Sequence, residues 1–232
     1  TQAIALKPDY ADAHHNLGNM FQKLGRLVEA KASLTQAIAL KPDVSDAHYN
    51  LGNTLQQQGR FDEAETSYRR AIALKPDLAD AQFNLGITLQ ALGRFGEAEA
   101  IYWQAIAVKP DYAEAYNNLG NMQKESGRLD EAEASYTQVI ALKPDSALAH
   151  NNLGNIQKEL GKLNEAEASF SQAIALKSDY TLAHYNLGNT LKELGKLDEA
   201  EASYRQSIAL KPDFAEAHKN LDVTLQALGR LD

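Results

Sequence analysis

Apolar residues recur along this chain with helical spacing, in pairs of stretches that repeat from end to end. On a wheel of about 100° per residue, Ala13, Leu17, Met20, Phe21 and Leu24 fall on one side of the first stretch, and Asp12, His15, Asn16, Asn19 and Lys23 on the other. The pattern predicts an amphipathic helix whose first group is core. It ends at Gly25, and Gly59, Gly93, Gly127, Gly161, Gly195 and Gly229 recur at the same place, where a helix needs a residue tolerant of positive φ. A second helix is announced by Asp62, Asp130 and Asp198, with Asn164 as a variant, each three residues before a Glu and so placed to cap its start. Pro42 follows the apolar run Ala-Ile-Ala-Leu and breaks that helix, while Asp43, with Asp46 three residues on, is placed to cap the next first helix.

The pairs have a fixed period. Lys-Pro-Asp recurs at Pro8, Pro42, Pro76, Pro110, Pro144 and Pro212, with Ser178 in place of the missing Pro, and each step is 34 residues. Six units follow, 11–44, 45–78, 79–112, 113–146, 147–180 and 181–214, with 1–10 as the end of a preceding unit and 215–232 as the first helix of a seventh. A single helix pair cannot cover its own apolar face, so stability has to come from stacking neighbours. The expectation for 1–232 is one continuous solenoid of antiparallel helix pairs.

Asn-Leu-Gly at 16–18, Phe21, Ala30, Leu34, Ala37 and Pro42, repeated over essentially the whole chain, resemble the consensus of the tetratricopeptide repeat family. Tyr68, Tyr102, Tyr136, Phe170 and Tyr204 fill the large second-helix position, and Ala64, Ala98, Ala132, Ala166 and Ala200 the small one. Departures are few. Asp222 stands where Gly18 and its equivalents stand, and predicts a frayed last helix; Ser207 and Val139 replace a small Ala, and Gln123 and Gln157 replace an apolar first-helix residue. The resemblance implies an all-α, right-handed superhelical solenoid whose first helices line an inner groove, and a chain that binds another protein or peptide.

On the groove side, Asn16, Asn50, Asn84, Asn118, Asn152, Asn186 and Asn220 form an unbroken column. Beside it run Asn19, Asn53, Asn121, Asn155 and Asn189, interrupted by Ile87 and Val223. An amide both donates and accepts, so it can hold the backbone of an extended peptide whatever its side chains. The alternative is that each Asn ties one first helix to the next. A similar inward Asn ladder lines the superhelix of O-linked N-acetylglucosamine transferases, so the chain also resembles the substrate-recruiting arm of such an enzyme. The family's two-carboxylate clamp is not expected: the positions that would carry its cations hold Asp46, Asp80 and Glu114, then Leu148 and Leu182. Tyr49, Phe83, Tyr185 and His15 sit between those acids and the Asn column, which suits a neutral or basic segment.

Other chemistry finds little purchase. His14, His48, His150, His184 and His218 form a column shared with Gln82 and Tyr116, but at about 10 Å per unit no two could bind one zinc at about 2 Å, so a half-buried packing site is expected and no metal. No phosphate loop, His-Glu-x-x-His or nucleophile turn is present, so no catalytic residue and no cofactor is expected. The net charge of -8 argues against nucleic acid, and the lack of an apolar run of about 20 residues against membrane insertion. With no targeting signal visible, a cytoplasmic location is expected. Ile4 and Leu6 at one end, with Leu221 and Leu225 at the other, are expected to present apolar stacking surface that allows end-to-end self-association.

Overall fold

A computed structural model describes residues 8–230, and among them every regular element is an α-helix. Contacts gather the chain into two compact units, 1–115 and 116–232. The first holds α1 (Ala11–Lys23), α2 (Leu27–Leu40), α3 (Ser45–Gln57), α4 (Phe61–Leu74), α5 (Ala79–Ala91) and α6 (Phe95–Val108). In α7 (Ala113–Glu125) the partition falls after the opening residues. The second unit continues with α8 (Leu129–Leu142), α9 (Ala147–Glu159), α10 (Leu163–Leu176), α11 (Thr181–Glu193), α12 (Leu197–Leu210) and α13 (Ala215–Ala227). Within each unit every helix packs on the next, and first helices also touch one another: α1 with α3 and α3 with α5, α9 with α11 and α11 with α13.

Inside a pair, close approach depends on a glycine facing an aromatic ring. A Cβ on Gly52 would lie 2.6 Å from the Tyr68 ring, and one on Gly188 would lie 2.7 Å from Tyr204. Both tyrosines are fully buried, flanked by Ala64 and Ala71 in one unit and by Ala200 in the other. Asp222 stands at the glycine position of the last helix, and α13 nonetheless runs the full 13 residues of its equivalents. The expected fraying is therefore absent, because the glycine serves packing between helices and not the helix itself.

Turns within pairs are made as expected, but the caps are not. Gly59 takes φ +72, its N–H reaches Gln56 O at 2.9 Å, and Arg60 N–H reaches back to Leu55 O at 2.9 Å, closing a Schellman turn. Arg60 is thereby both the last residue of that turn and the N-cap of α4. Asp62, Asp130, Asn164 and Asp198 consequently sit inside the first turn as second residues and cap nothing, although the aspartates favour the helix dipole there. Asp43 is likewise displaced: Val44 is the N-cap of α3, and Asp43 accepts from Arg70 at 3.0 Å. Packing decides that position. Phe214, the N-cap of α13, lies 4.8 Å from the Tyr185 ring of the preceding first helix. Ser146, before α9, does cap, accepting from Ala149 N–H at 3.2 Å.

The histidine column is a staple. His48 Nε2 donates to Pro42 O at 2.8 Å and His218 Nε2 to Pro212 O at 2.8 Å, and Gln82 Nε2 replaces the ring at 3.0 Å from Pro76 O. Each satisfies a carbonyl of the turn that precedes its helix. His184 does the same to Ser178 O at 2.9 Å, and α10 still stops at Leu176, so the turn survives without its proline.

Four expected core or end positions need correction. Met20 and Leu24 are 45% and 61% exposed, whereas Thr54 and Thr88, at the Met20 position, are buried. That position faces the preceding first helix, as Gln56 Nε2 donating to Thr88 Oγ1 at 3.2 Å shows. Leu221 is buried with Leu191, Ala200 and Tyr204, and Leu225 is half-buried against them, so neither forms an open end face. Ile4 and Leu6 lie outside the described residues.

Candidate peptide-binding face

The polar residues expected to line a groove do share one face of the first helices. In the first unit, Asn19, Asn50, Asn53 and Asn84 are half-buried and Asn16 is exposed. In the second, Asn118, Asn152, Asn155, Asn186, Asn189 and Asn220 are half-buried and Asn121 is exposed. Asp46, Asp80 and Glu114 stand exposed one turn before, and Tyr49, Phe83 and Tyr185 are half-buried beside the column.

Many of these amides are already joined to one another. Asn84 Nδ2 donates to Asn53 Oδ1 at 2.8 Å and to Tyr49 Oη at 3.4 Å. Asn220 repeats both bonds in the second unit, to Asn189 Oδ1 at 2.8 Å and Tyr185 Oη at 3.2 Å. Asn186 Nδ2 reaches Asn151 Oδ1 at 3.2 Å, and Asn50 Nδ2 meets His15 Nε2 at 2.8 Å. Asn50, Asn84, Asn186 and Asn220 of the unbroken column thus donate backwards to the previous first helix, the tie between helices left open as an alternative above. These amide nitrogens are committed to rungs.

Sequence reasoning missed what the broken column does. Tyr68, Tyr136 and Tyr204 are buried in the pair interface, and their hydroxyls donate to Asn53, Asn121 and Asn189 Oδ1 at 2.7, 2.6 and 2.8 Å. A hydroxyl buried without a partner would be costly, so this column anchors the core to the face. Where Ile87 interrupts it, Tyr102 donates to Gln90 instead. Where Leu34 replaces the tyrosine, Asn19 Oδ1 is left buried without a partner. Burial pushes the tyrosine hydroxyls up, that of Tyr136 to about 12. The signal was present in the pairing of each of these tyrosines with an Asn fifteen residues earlier, but Phe170 with Asn155 blurs it.

The acids are held unequally. Tyr112, buried, stacks on Phe83 with centroids 4.8 Å apart and donates to Asp80 Oδ1 at 2.9 Å. Burial first, and Asp80 second, raise the Tyr112 hydroxyl, which therefore stays a donor to Asp80. Among the described residues no group of three His, Asp or Glu side chains is placed to hold a metal ion, and no helix is long and apolar enough to cross a membrane.

Stacked helix pairs of one length, locked by a glycine-aromatic contact and carrying an amide-lined polar face, define a helical-repeat protein. The chain belongs to the tetratricopeptide repeat family: profiles described as tetratricopeptide or TPR repeat match 1–25, 18–59, 43–111, 77–145, 135–168, 154–195 and 181–214. No curated protein matches it. Among solved structures it is similar to YrrB, described as a TPR protein with an unusual peptide-binding site, at 24% identity over 79% of this chain and 94% of that one, with a TM-score of 0.67. It is also similar to pilF of Pseudomonas aeruginosa, at 20% identity over 94% and 97% with a TM-score of 0.74, and to MamA, at 23% over 72% and 92% with a TM-score of 0.67.

Proposed function

We propose that this segment is a protein-interaction scaffold that binds an extended polypeptide, uncharged to basic, along the Asn-bearing faces of its first helices, and catalyses nothing. The observation that carries this reading is the rung of Asn84 on Asn53 and Tyr49, repeated by Asn220 on Asn189 and Tyr185. The rungs fix amide groups in a row at the spacing of packed helices, about 8 to 10 Å, without a mobile side chain to order on binding. Acceptor oxygens and the Asp46 and Asp80 carboxylates favour a segment rich in N–H donors, and the faces of Tyr49 and Phe83 suit Lys or Arg. The peptide-binding site ascribed to YrrB supports the class of ligand. Net charge of -8 disfavours nucleic acid.

A peptide array probed with the whole chain tests the reading. Each lost amide contact costs about 0.5 to 1.5 kcal/mol, so Asn50→Ala with Asn84→Ala, both in the first unit, is expected to weaken peptides captured there by about tenfold while circular dichroism stays helical. Capture that survives the double change sinks the Asn-face reading.

A second reading, self-association, is favoured by one observation. Met20, Leu24 and Val28 are exposed, at 45%, 61% and 79%. Light scattering against concentration decides it: growth in size without ligand supports association, and a strict monomer removes it.

A further inference from the structure

Between α8, α9 and α10 of the second unit lies a hollow of about 270 Å³, open to solvent, floored by Ile140 and Leu153 and rimmed by Thr137, His150, Ser169 and Gln172. His150 and Asn152 are about 200° apart on α9, so the hollow lies off the Asn face. Its volume falls below the roughly 300 to 1,000 Å³ of small-molecule sites, which suits it to a single side chain. Most of the rim has already spent its hydrogens. Thr137 Oγ1 donates to Glu133 O at 2.8 Å, Ser169 Oγ to Gln157 Oε1 at 2.7 Å and His150 Nε2 to Pro144 O at 3.1 Å. These groups keep only lone pairs, because a neutral imidazole that donates from Nε2 accepts at Nδ1.

The chain's own repeats show what such a position accepts. In sequence the places of Thr137 and His150 are held one repeat earlier by Trp103 and Tyr116. Ile106, the equivalent of Ile140, is buried, whereas Ile38, Ile72, Ile140, Ile174 and Ile208 are all half-buried. Residues three apart are neighbours on a helix surface, so the Trp103 indole covers Ile106 within α6. We propose that the hollow of the second unit takes a tryptophan side chain of a partner polypeptide, its ring on Ile140 and Leu153 and its N–H donated to the rim. An indole matches the site because it carries one donor and no acceptor on an otherwise apolar ring. Tryptophans seated in pockets are also enriched among the residues that dominate binding energy. This contact is independent of the Asn-face reading.

The test is an NMR titration of the whole chain with N-acetyl-tryptophanamide, following the backbone amides of Thr137, His150, Ser169 and Gln172. A buried indole covers roughly 150 to 250 Å², so saturable shifts at those residues are expected with a dissociation constant on the order of 1 mM. The benzothienylalanine analogue, in which sulfur replaces the N–H with little change of shape, is expected to bind about fivefold more weakly. Thr137→Trp is expected to close the hollow as Trp103 covers Ile106, and to remove the shifts at His150, Ser169 and Gln172 while circular dichroism stays helical. Unmoved amides, equal affinity for the two probes, or binding indifferent to Thr137→Trp overturns the proposal. So does loss of concentration-dependent sedimentation of the chain alone in Thr137→Trp, because a second copy would then be what covers the hollow. Each of these outcomes leaves the Asn-face reading standing.

Discussion

The two units use the same interior and present different faces. Gly52 against Tyr68 in the first is reproduced by Gly188 against Tyr204 in the second, and the hydroxyls end on Asn53 and Asn189 at 2.7 and 2.8 Å. On the exposed side, Asp46, Asp80 and Gln56 of the first give way to Leu148, Leu182 and Lys158 of the second. A substitution in the interior must satisfy a ring, a hydroxyl and a neighbouring helix at once, whereas one on the face meets solvent. The part that repeats therefore carries the fold, and the part that varies is where a partner can be distinguished.

Alkaline pH should break both interiors with the largest effect. The buried tyrosines are raised in the fold above their ordinary value near 10, so stability is whole below about pH 10 and falls as pH rises towards the folded value, about 12 for Tyr136. The loss is on the order of 1.4 kcal/mol per pH unit for each such tyrosine. Thermal melts between pH 8 and 11 should hold steady to about 10 and then drop, and a melt that is flat throughout would deny the burial. Next in size, Gly52→Val and Gly188→Val should each cost about 3 kcal/mol in urea unfolding, since either new side chain collides with a buried ring. A marked difference between them would show that the two interiors are not equivalent.

The hydroxyl anchors separate the units more finely. Tyr68 has a further acceptor in Gln56 Oε1 at 3.1 Å, so Asn53→Leu should cost less than Asn189→Leu, which is expected to lose about 1 to 3 kcal/mol. Reversal of that order in denaturant melts would count against the assigned network. Smallest is a gain. Leu34→Tyr supplies the donor that Asn19 Oδ1 lacks and should add about 0.5 to 1.5 kcal/mol.

Most of the fold was legible because its signals are local. Gly59 marks the turn through its own φ, and the 34-residue period places the helix bounds. Capping was misread because Arg60 is claimed by the turn before it, which moves the helix start ahead of Asp62. Met20 was misread because its burial depends on a neighbouring helix and not on its own wheel. The Asn columns were legible as a face. The tie of Asn84 to the preceding first helix was open there as an alternative, whereas the tyrosine anchor on Asn53 was not read, since the bond from Tyr68 spans 15 residues and no periodicity within one helix reveals it.

The central claim, that the Asn face receives a polypeptide, is tested most directly by NMR titration of the Asn side-chain amides with a peptide recovered from the array. The account predicts saturable shifts at Asn50, Asn84, Asn186 and Asn220, with the Trp103 indole on α6 unmoved. Shifts confined to second-helix residues, with those amides unchanged, would contradict it.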